Sequence, residues 1–227
     1  MICNVDYEPM LAYHKANDAD ITILYKRMDN NVRRLINCDT VNIDEHDNIE
    51  AIGKNQGKRR FYNISMEMYL IKRELLIQLI EEAIHDGNVD YLKQCILNQV
   101  GKLKVKGFEF DGYLACINSI DNYYKANMDF LKPQVQREIF SDDNLIYTKV
   151  KDEPSTYYGD DSYTSNSLIS SGCIIEGTVE NCILSRGVHV KKGAIVRNSI
   201  IMQNNIINET ANVNYMIFDK NVEVGAK

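Results

Sequence analysis

A histidine between two valines, Gly187-Val188-His189-Val190, is the residue best suited by type and spacing to acid–base chemistry in this 227-residue chain. Strand alternation turns Val188 and Val190 to one side and His189 to the other. An outward imidazole can act as general base toward an acceptor hydroxyl or amine, as acyl transfer would require. Any exposed corner histidine shares that geometry. His14, His46 and His85 stand singly on a helix, a turn and a helix end, and no chemistry is assigned to them. Asp44-Glu45-His46-Asp47 lacks the spaced oxygen ligands around a glycine that a calcium loop needs. Asp160-Asp161 reads as a solvated pair. Lys58-Arg59-Arg60 could meet a phosphate, but three adjacent charges are more often the end of a surface strand. The six cysteines (Cys3, Cys38, Cys95, Cys116, Cys173, Cys182) form no CxxC pair. That pattern argues for reduced thiols in a cytoplasmic chain rather than a disulfide scaffold or a zinc site.

Composition removes several classes of partner. With 44% hydrophobic and 26% charged residues the chain is too apolar for general disorder. A formal charge of −6 leaves no electrostatic footprint for nucleic acid or for an anionic membrane. No apolar run approaches the roughly 20 residues that span a bilayer. The N-terminus, MICNVDYEPM, has neither the basic nor the apolar region of a signal peptide.

The elements that must position these residues fall into two kinds. Residues Glu8 to Asn17 read as a helix with Pro9 in its first turn, followed by a buried strand over Ala19 to Tyr25. Val41–Asp44 and Asn48–Ile52 flank a polar turn and predict a hairpin. Arg73 to His85 gathers Leu75, Leu76, Leu79, Ile80, Ala83 and Ile84 on one helical face, with Gly87 as its stop. A shorter helix is expected over Val89 to Asn98 and a strand region over Val105 to Leu114. Ser119 caps a helix through Leu131 that ends before Pro133. Alternating strands and helices make residues 1–135 an α/β domain, with polar residues 136–165 as linker.

Residues 166–227 obey a different rule. Cys182-Ile183-Leu184, Ser199-Ile200-Ile201 and Met216-Ile217-Phe218 start seventeen residues apart, as do Val190, Ile207 and Val224. Three short strands per turn, each with one inward aliphatic, predict a left-handed parallel β-helix. A regular coil takes about eighteen residues, so one corner is expected to be a residue short. Asn181, Gly187, Gly193, Asn198, Asn204, Asn205 and Asn214 supply corners, where Gly and Asn tolerate left-handed backbone. Ser167–Ile169 and Cys173–Ile175 read as an irregular opening coil. Such a ladder needs caps, and the pattern stops in mid-coil at Glu223–Lys227, so either a partner covers that end or, as is expected here, the chain is truncated there.

Several stretches resemble the sugar-nucleotide pyrophosphorylases, and within them the glucose-1-phosphate adenylyltransferase family. Met1–Leu11 (MICNVDYEPML) resembles the segment just after the family's metal-binding Gly-Asp. Ile64–Tyr69 (ISMEMY) resembles its sugar-site strand. Gly112–Phe130 (GYLACINSIDNYYKANMDF) resembles the run from Gly-Tyr-Trp-x-Asp-Ile-Gly-Thr to Tyr-x-x-Ala-Asn-Met-Asp-Leu. Ser167–Glu176 (SLISSGCIIE) resembles the opening of its β-helix. The likeness spans nearly the whole chain.

The resemblance implies an enzyme that joins ATP and glucose 1-phosphate into ADP-glucose and pyrophosphate. It also implies that the family's Gly-rich nucleotide loop lies upstream of Met1, so the chain is expected to be truncated there too. Of the family's two metal-binding aspartates, one would precede Met1 and the other falls on Cys116. Magnesium prefers hard oxygen ligands, and a thiol is a poor substitute. Asn118 stands where the family has glycine. No catalytic or metal-binding residue is therefore expected in this chain, and Mg²⁺ is expected only at a catalytic partner.

These substitutions resemble the non-catalytic sister subunit of glycogen biosynthesis, which pairs with the catalytic one and modulates it. The leading expectation is a cytoplasmic regulatory or structural subunit whose partner is the catalytic subunit, itself, or both. A catalytic adenylyltransferase with an altered metal site and a hexapeptide-repeat acyltransferase built on His189 are the alternatives. Lys54 stands for the family's Glu-Lys-Pro lysine, whose ammonium would meet the sugar phosphate, and Ser65 for its sugar-site serine. A solvated loop lysine beside Lys58, Arg59 and Arg60 is the other reading of Lys54.

Overall fold

The computed structural model describes residues 1–29, 35–85, 87, 95–96, 98–141, 144–148 and 150–225. The helix expected over Val89–Asn98 falls largely outside them. The chain divides into two compact units, Met1–Cys116 and Ile117–Lys227.

In the first unit Asp6 caps helix α1 (Tyr7–Ala16), its carboxylate accepting the Glu8 N–H at 2.9 Å. The apolar run that follows becomes β1 (Ile21–Asp29), buried from Ile21 through Tyr25. The expected hairpin forms from β2 (Asp39–Ile43) and β3 (Ile49–Lys54), paired antiparallel. Its acidic turn is structural rather than a metal loop. One Asp44 oxygen accepts the N–H groups of His46 and Asn48, both at 2.8 Å, and the Asn48 bonds hold the Asp44 carboxyl below its ordinary value.

Strand β4 (Phe61–Ile71) runs antiparallel to β1, while β5 (Val105–Glu109) runs parallel to it. Among the described residues the sheet is mixed, in the order β3-β2-β4-β1-β5. Alternation along β1 sends its two faces to different neighbours. Ile21 and Ile23 meet Leu79 of α2 (Arg73–His85), whereas Leu24 meets Met10 of α1. On that second face the buried His14 ring is bonded through Nδ1 to the Thr22 hydroxyl at 2.8 Å. The first unit is thus an α/β arrangement with apolar clusters on both sides of one sheet.

The second unit opens with α3 (Ile120–Asp129), capped by Ser119, whose hydroxyl accepts the Asn122 N–H at 3.1 Å. Helix α4 (Pro133–Ile139) follows, with its proline in the first turn. The remainder is a parallel β-helix of about four turns. One wall stacks Tyr163–Ser165, Thr178–Glu180, Ile195–Arg197 and Asn212–Asn214. The second stacks Leu168–Ile169, Ile183–Leu184, Ile200–Ile201 and Ile217–Phe218. The third runs from Tyr157–Tyr158 through Ile174–Ile175, His189–Val190 and Ile206–Ile207 to Glu223–Val224.

The registers Ile183↔Ile200↔Ile217 and Val190↔Ile207↔Val224 match the seventeen-residue interval read from the sequence. Leu184, Val190, Val196, Ile201 and Ile207 point inward and are fully buried. The short corner is the one holding Asn166, Asn181, Asn198 and Tyr215, all at positive φ. The asparagines there are linked from coil to coil: Asn166 Nδ2 donates to Asn181 Oδ1 at 2.6 Å, and Asn181 Nδ2 to Asn198 Oδ1 at 3.3 Å.

Two features depart from the expected plan. One early interval is fifteen residues, as Leu168 pairs with Ile183 and Ile174 with His189, although Tyr157 before them pairs with Ile174 at seventeen. Only Glu176 and Gly177 turn that corner, where the later coils use Lys191 to Ala194 and Asn208 to Ala211. Gly177 permits it because a Cβ there would lie 2.4 Å from the Ala194 carbonyl oxygen and 2.8 Å from that of Lys191. The unit boundary also falls upstream of residue 135. Tyr124 of α3 donates its hydroxyl hydrogen to Asn198 O at 2.7 Å, and its ring lies 6.3 Å from that of Tyr215, which ties α3 to the β-helix. Residues assigned to a linker supply α4 and the first strands of the coil, and Asp161 is ion-paired with Lys192 at 2.9 Å.

Candidate functional site

The polar end of the first unit's sheet concentrates positive charge. Thr40 and Asn42 of β2, Gly53 and Lys54 at the end of β3, and Gln56, Lys58, Arg59 and Tyr62 beyond it line a cavity of about 330 Å³. A neighbouring cavity of about 270 Å³ shares Thr40, Asn42, Arg59 and Tyr62 and adds Arg27, Phe61 and Asn63. Among the described residues no carboxylate lines either one, although Asp29 lies near the second, 3.6 Å from Arg60. In a chain of net charge −6 that local bias attracts an anion.

Backbone anchors hold this wall. Asn55 is buried; its side chain donates to Leu35 O at 3.0 Å and accepts the Gly57 N–H at 2.8 Å. The Tyr62 hydroxyl oxygen accepts the N–H groups of both Lys58 and Arg59, each at 2.9 Å. Two cationic side chains therefore start from a pinned turn rather than from a free loop. Arg27 and Arg60 stack on Phe61 with their guanidinium carbons 5.4 and 5.0 Å from the ring centre.

The residues expected at a sugar-phosphate site are separated here. Lys54 lines the larger cavity. Ser65 lies buried within β4, where its hydroxyl oxygen accepts the Glu67 N–H at 3.3 Å, and it lines neither cavity. Lys58 and Arg59, read from the sequence chiefly as a strand end, join Lys54. Arg27 and Tyr62 carried no local sequence signal, because strand pairing brings them in from afar.

Cys116 faces a second thiol. The Cys38 S–H donates to Cys116 Sγ at 3.4 Å, in a cluster with Leu35, Ile64, Met28 and Tyr62. Burial, then the bond to Cys116, pushes the Cys38 thiol up to about 12. Sulfur in apolar surroundings does not suit Mg²⁺, which takes oxygen ligands. Among the described residues no three His, Cys, Asp or Glu side chains converge as a metal site. The residues present do not fit the family's magnesium.

His189 points outward between buried Val188 and Val190, as alternation requires, and its Nε2 lies 2.8 Å from Glu176 Oε2. Both partners are partly exposed on the β-helix wall, and neither lines a described cavity.

An α/β sheet unit followed by a hexapeptide-type β-helix defines the class of protein. Residues 154–227 match the family described as GlmU-like, C-terminal hexapeptide. The glycogen biosynthesis protein GlgD of Bacillus subtilis (strain 168) is 39% identical over 161 residues, which cover 71% of this chain and 47% of that protein. GlgD of Geobacillus stearothermophilus is 33% identical over 195 residues, 86% of this chain and 46% of the relative. Glucose-1-phosphate adenylyltransferase of Clostridium perfringens (strain SM101 / Type A) is 30% identical over 203 residues, 88% of this chain and 52% of the relative. The chain spans about half the length of the curated relatives it matches. Over most of its length it is a relative of the glucose-1-phosphate adenylyltransferase family and of the GlgD proteins, as the sequence motifs implied. No helix among the described residues is long and apolar enough to cross a membrane.

Proposed function

We propose that this chain serves glycogen biosynthesis in the cytoplasm as a regulatory or structural subunit of glucose-1-phosphate adenylyltransferase. The chemistry, ATP and glucose 1-phosphate to ADP-glucose and pyrophosphate, is carried by a catalytic partner subunit. Cys116 is the observation that carries this reading. Where the family has a carboxylate for Mg²⁺, this chain has a thiol that accepts a hydrogen bond from Cys38. Nucleotidyl transfer relies on the metal to neutralise charge on the phosphates and the leaving pyrophosphate. Magnesium is therefore assigned to the partner, and no bond-making step to this chain. Its partners are the catalytic subunit, a second copy of itself, or both.

The cationic cavity supports retained recognition of a sugar phosphate through Lys54, with Lys58 and Arg59 beside it. An ammonium or guanidinium bonded to a phosphate oxygen is stronger than a neutral pair. Ser65 stays with this reading only as a support of the β4 backbone.

Reconstitution tests the proposal. ADP-glucose synthesis by the catalytic partner is measured with and without this chain, together with co-purification of the two. The expected result is a stable complex with altered rate, substrate affinity or effector response. An unchanged enzyme and no complex would sink the regulatory reading. Magnesium-dependent pyrophosphate release by this chain alone would instead make it a catalyst.

A further inference from the structure

The Cys38–Cys116 pair has chemistry of its own, apart from the carboxylate it lacks. We propose that Cys38 and Cys116 form an oxidisable dithiol, a modification site that closes to an intrachain disulfide when the chain meets a peroxide.

The sulfurs already touch across 78 residues of sequence, 3.4 Å apart. A disulfide needs about 2.05 Å, so the sulfurs must close by a little over an ångström. The backbone on both sides is held for it. The Cys38 N–H donates to Leu35 O at 3.2 Å, and Cys38 O accepts the Asn55 N–H at 2.9 Å. Cys116 follows Ala115, which exchanges both of its backbone bonds with Ile2, at 2.7 and 3.0 Å. The two sulfurs also differ in access. Cys116 is partly exposed and Cys38 is buried, so an oxidant reaches Cys116 first and Cys38 waits behind it. Cys38 donates the shared hydrogen, which leaves Cys116 as the acceptor and the more accessible of the two sulfurs.

The step balances with one peroxide. Cys116 sulfur attacks a peroxide oxygen as its thiol proton is released and the O–O bond breaks, giving a sulfenic acid and a hydroxide that takes up that proton as water. Cys38 sulfur then attacks the sulfenic sulfur and the S–O bond breaks. The departing hydroxyl leaves with the Cys38 proton as a second water. Two thiols lose two electrons, and the peroxide gains them.

The remaining cysteines provide internal controls. Cys173 and Cys182 are buried in the β-helix, their thiols donating to Ser185 O at 3.2 Å and Glu180 O at 3.1 Å. Neither has a thiol partner of this kind among the described residues.

The test is peptide mapping by mass spectrometry, without reductant, of the folded full chain after exposure to hydrogen peroxide. Two of the six thiols should be lost as a single cross-link between Cys38 and Cys116, restored by dithiothreitol. In Cys38→Ser the same treatment should leave Cys116 as a sulfenic acid that dimedone traps, while Cys173→Ser should still form the cross-link. Wild-type chain with Cys116 carried to the sulfinic acid and Cys38 still reduced would overturn the proposal. So would a cross-link spread over other cysteines. Both of these outcomes are read on wild-type protein, so a variant that fails to fold does not obscure them.

Discussion

The two units solve the burial of apolar surface in opposite ways. In the β-helix each inward residue rests on the equivalent residue of the next coil, as Leu184 does between Ile169 and Ile201. Contacts are nearest-neighbour, and the unit is close to one-dimensional. In the α/β unit β1 is flanked by β4, which follows it, and by β5, much further along, one antiparallel and the other parallel. Repetition gives the first a stack of similar walls. Irregular pairing gives the second unlike side chains at one place, and the cationic cavity and the facing thiols are found there. Order and chemistry are divided between the units.

That contrast can be broken by substitution. Leu184→Ala should cost about 3 kcal/mol, as should Ile23→Ala in the sheet, because both side chains are fully buried. The spread of damage should differ. Hydrogen exchange should rise mainly in the coils adjoining Leu184, whereas Ile23→Ala should loosen β1, β4 and β5 together. Equal spread in both variants would remove the distinction.

Gly177→Ala should cost about 2 kcal/mol, since its methyl would meet two carbonyl oxygens of the backbone. Gly193→Ala, at positive φ but with no heavy atom closer than 3.9 Å, should cost about 1 kcal/mol. Urea unfolding of the two variants sets the crowded corner against the merely left-handed one.

In the α/β unit Tyr62→Phe removes the acceptor of two N–H groups and frees the Lys58–Arg59 turn. Stability should fall by about 1 kcal/mol, and affinity for inorganic phosphate by roughly fivefold in calorimetric titration. Unchanged phosphate affinity would mean that the pinned turn does not shape the cavity.

The smallest effect concerns pH. Burial, then the charge of Lys72, holds His14 below its ordinary value of 6.5. The folded chain binds that proton less readily than the unfolded one. Stability from His14 is therefore complete above about pH 6.5 and is lost as pH falls through that range toward the lower folded value. His14→Gln should flatten this slope in melting curves between pH 7.5 and 5.5, endpoints chosen about one unit either side of the free histidine value.

How much could be read in advance follows the same division. The stack Ile183–Ile200–Ile217 was legible because a solenoid wall repeats its inward position once per coil. Helix α2 matched its expected bounds, since a periodic apolar face and a glycine stop are local signals. The fifteen-residue interval escaped, as nothing in Glu176-Gly177 announces a corner two residues short. In the α/β unit, β4 was visible only through family likeness, because its apolar pattern is interrupted where Glu67 takes φ 57. Lys58 and Arg59 were noticed as charges, but Arg27 joins them only through the pairing of Arg27 with Asn63. Cys38 and Cys116 had no reason to be considered together until the sheet closed over them.

The shortened corner at Glu176-Gly177 also acts as an index mark. A solenoid of identical coils could slide by one repeat during folding and still satisfy every ladder bond, much as a uniform strand can slip its register. Here the two-residue corner at Gly177 packs against the carbonyl oxygens of Ala194 and Lys191, which bound a four-residue corner of the next coil. A chain displaced by one coil would set the two-residue corner against a different neighbour. One irregularity thus numbers the coils, and a misassembled stack is penalised before its core is complete.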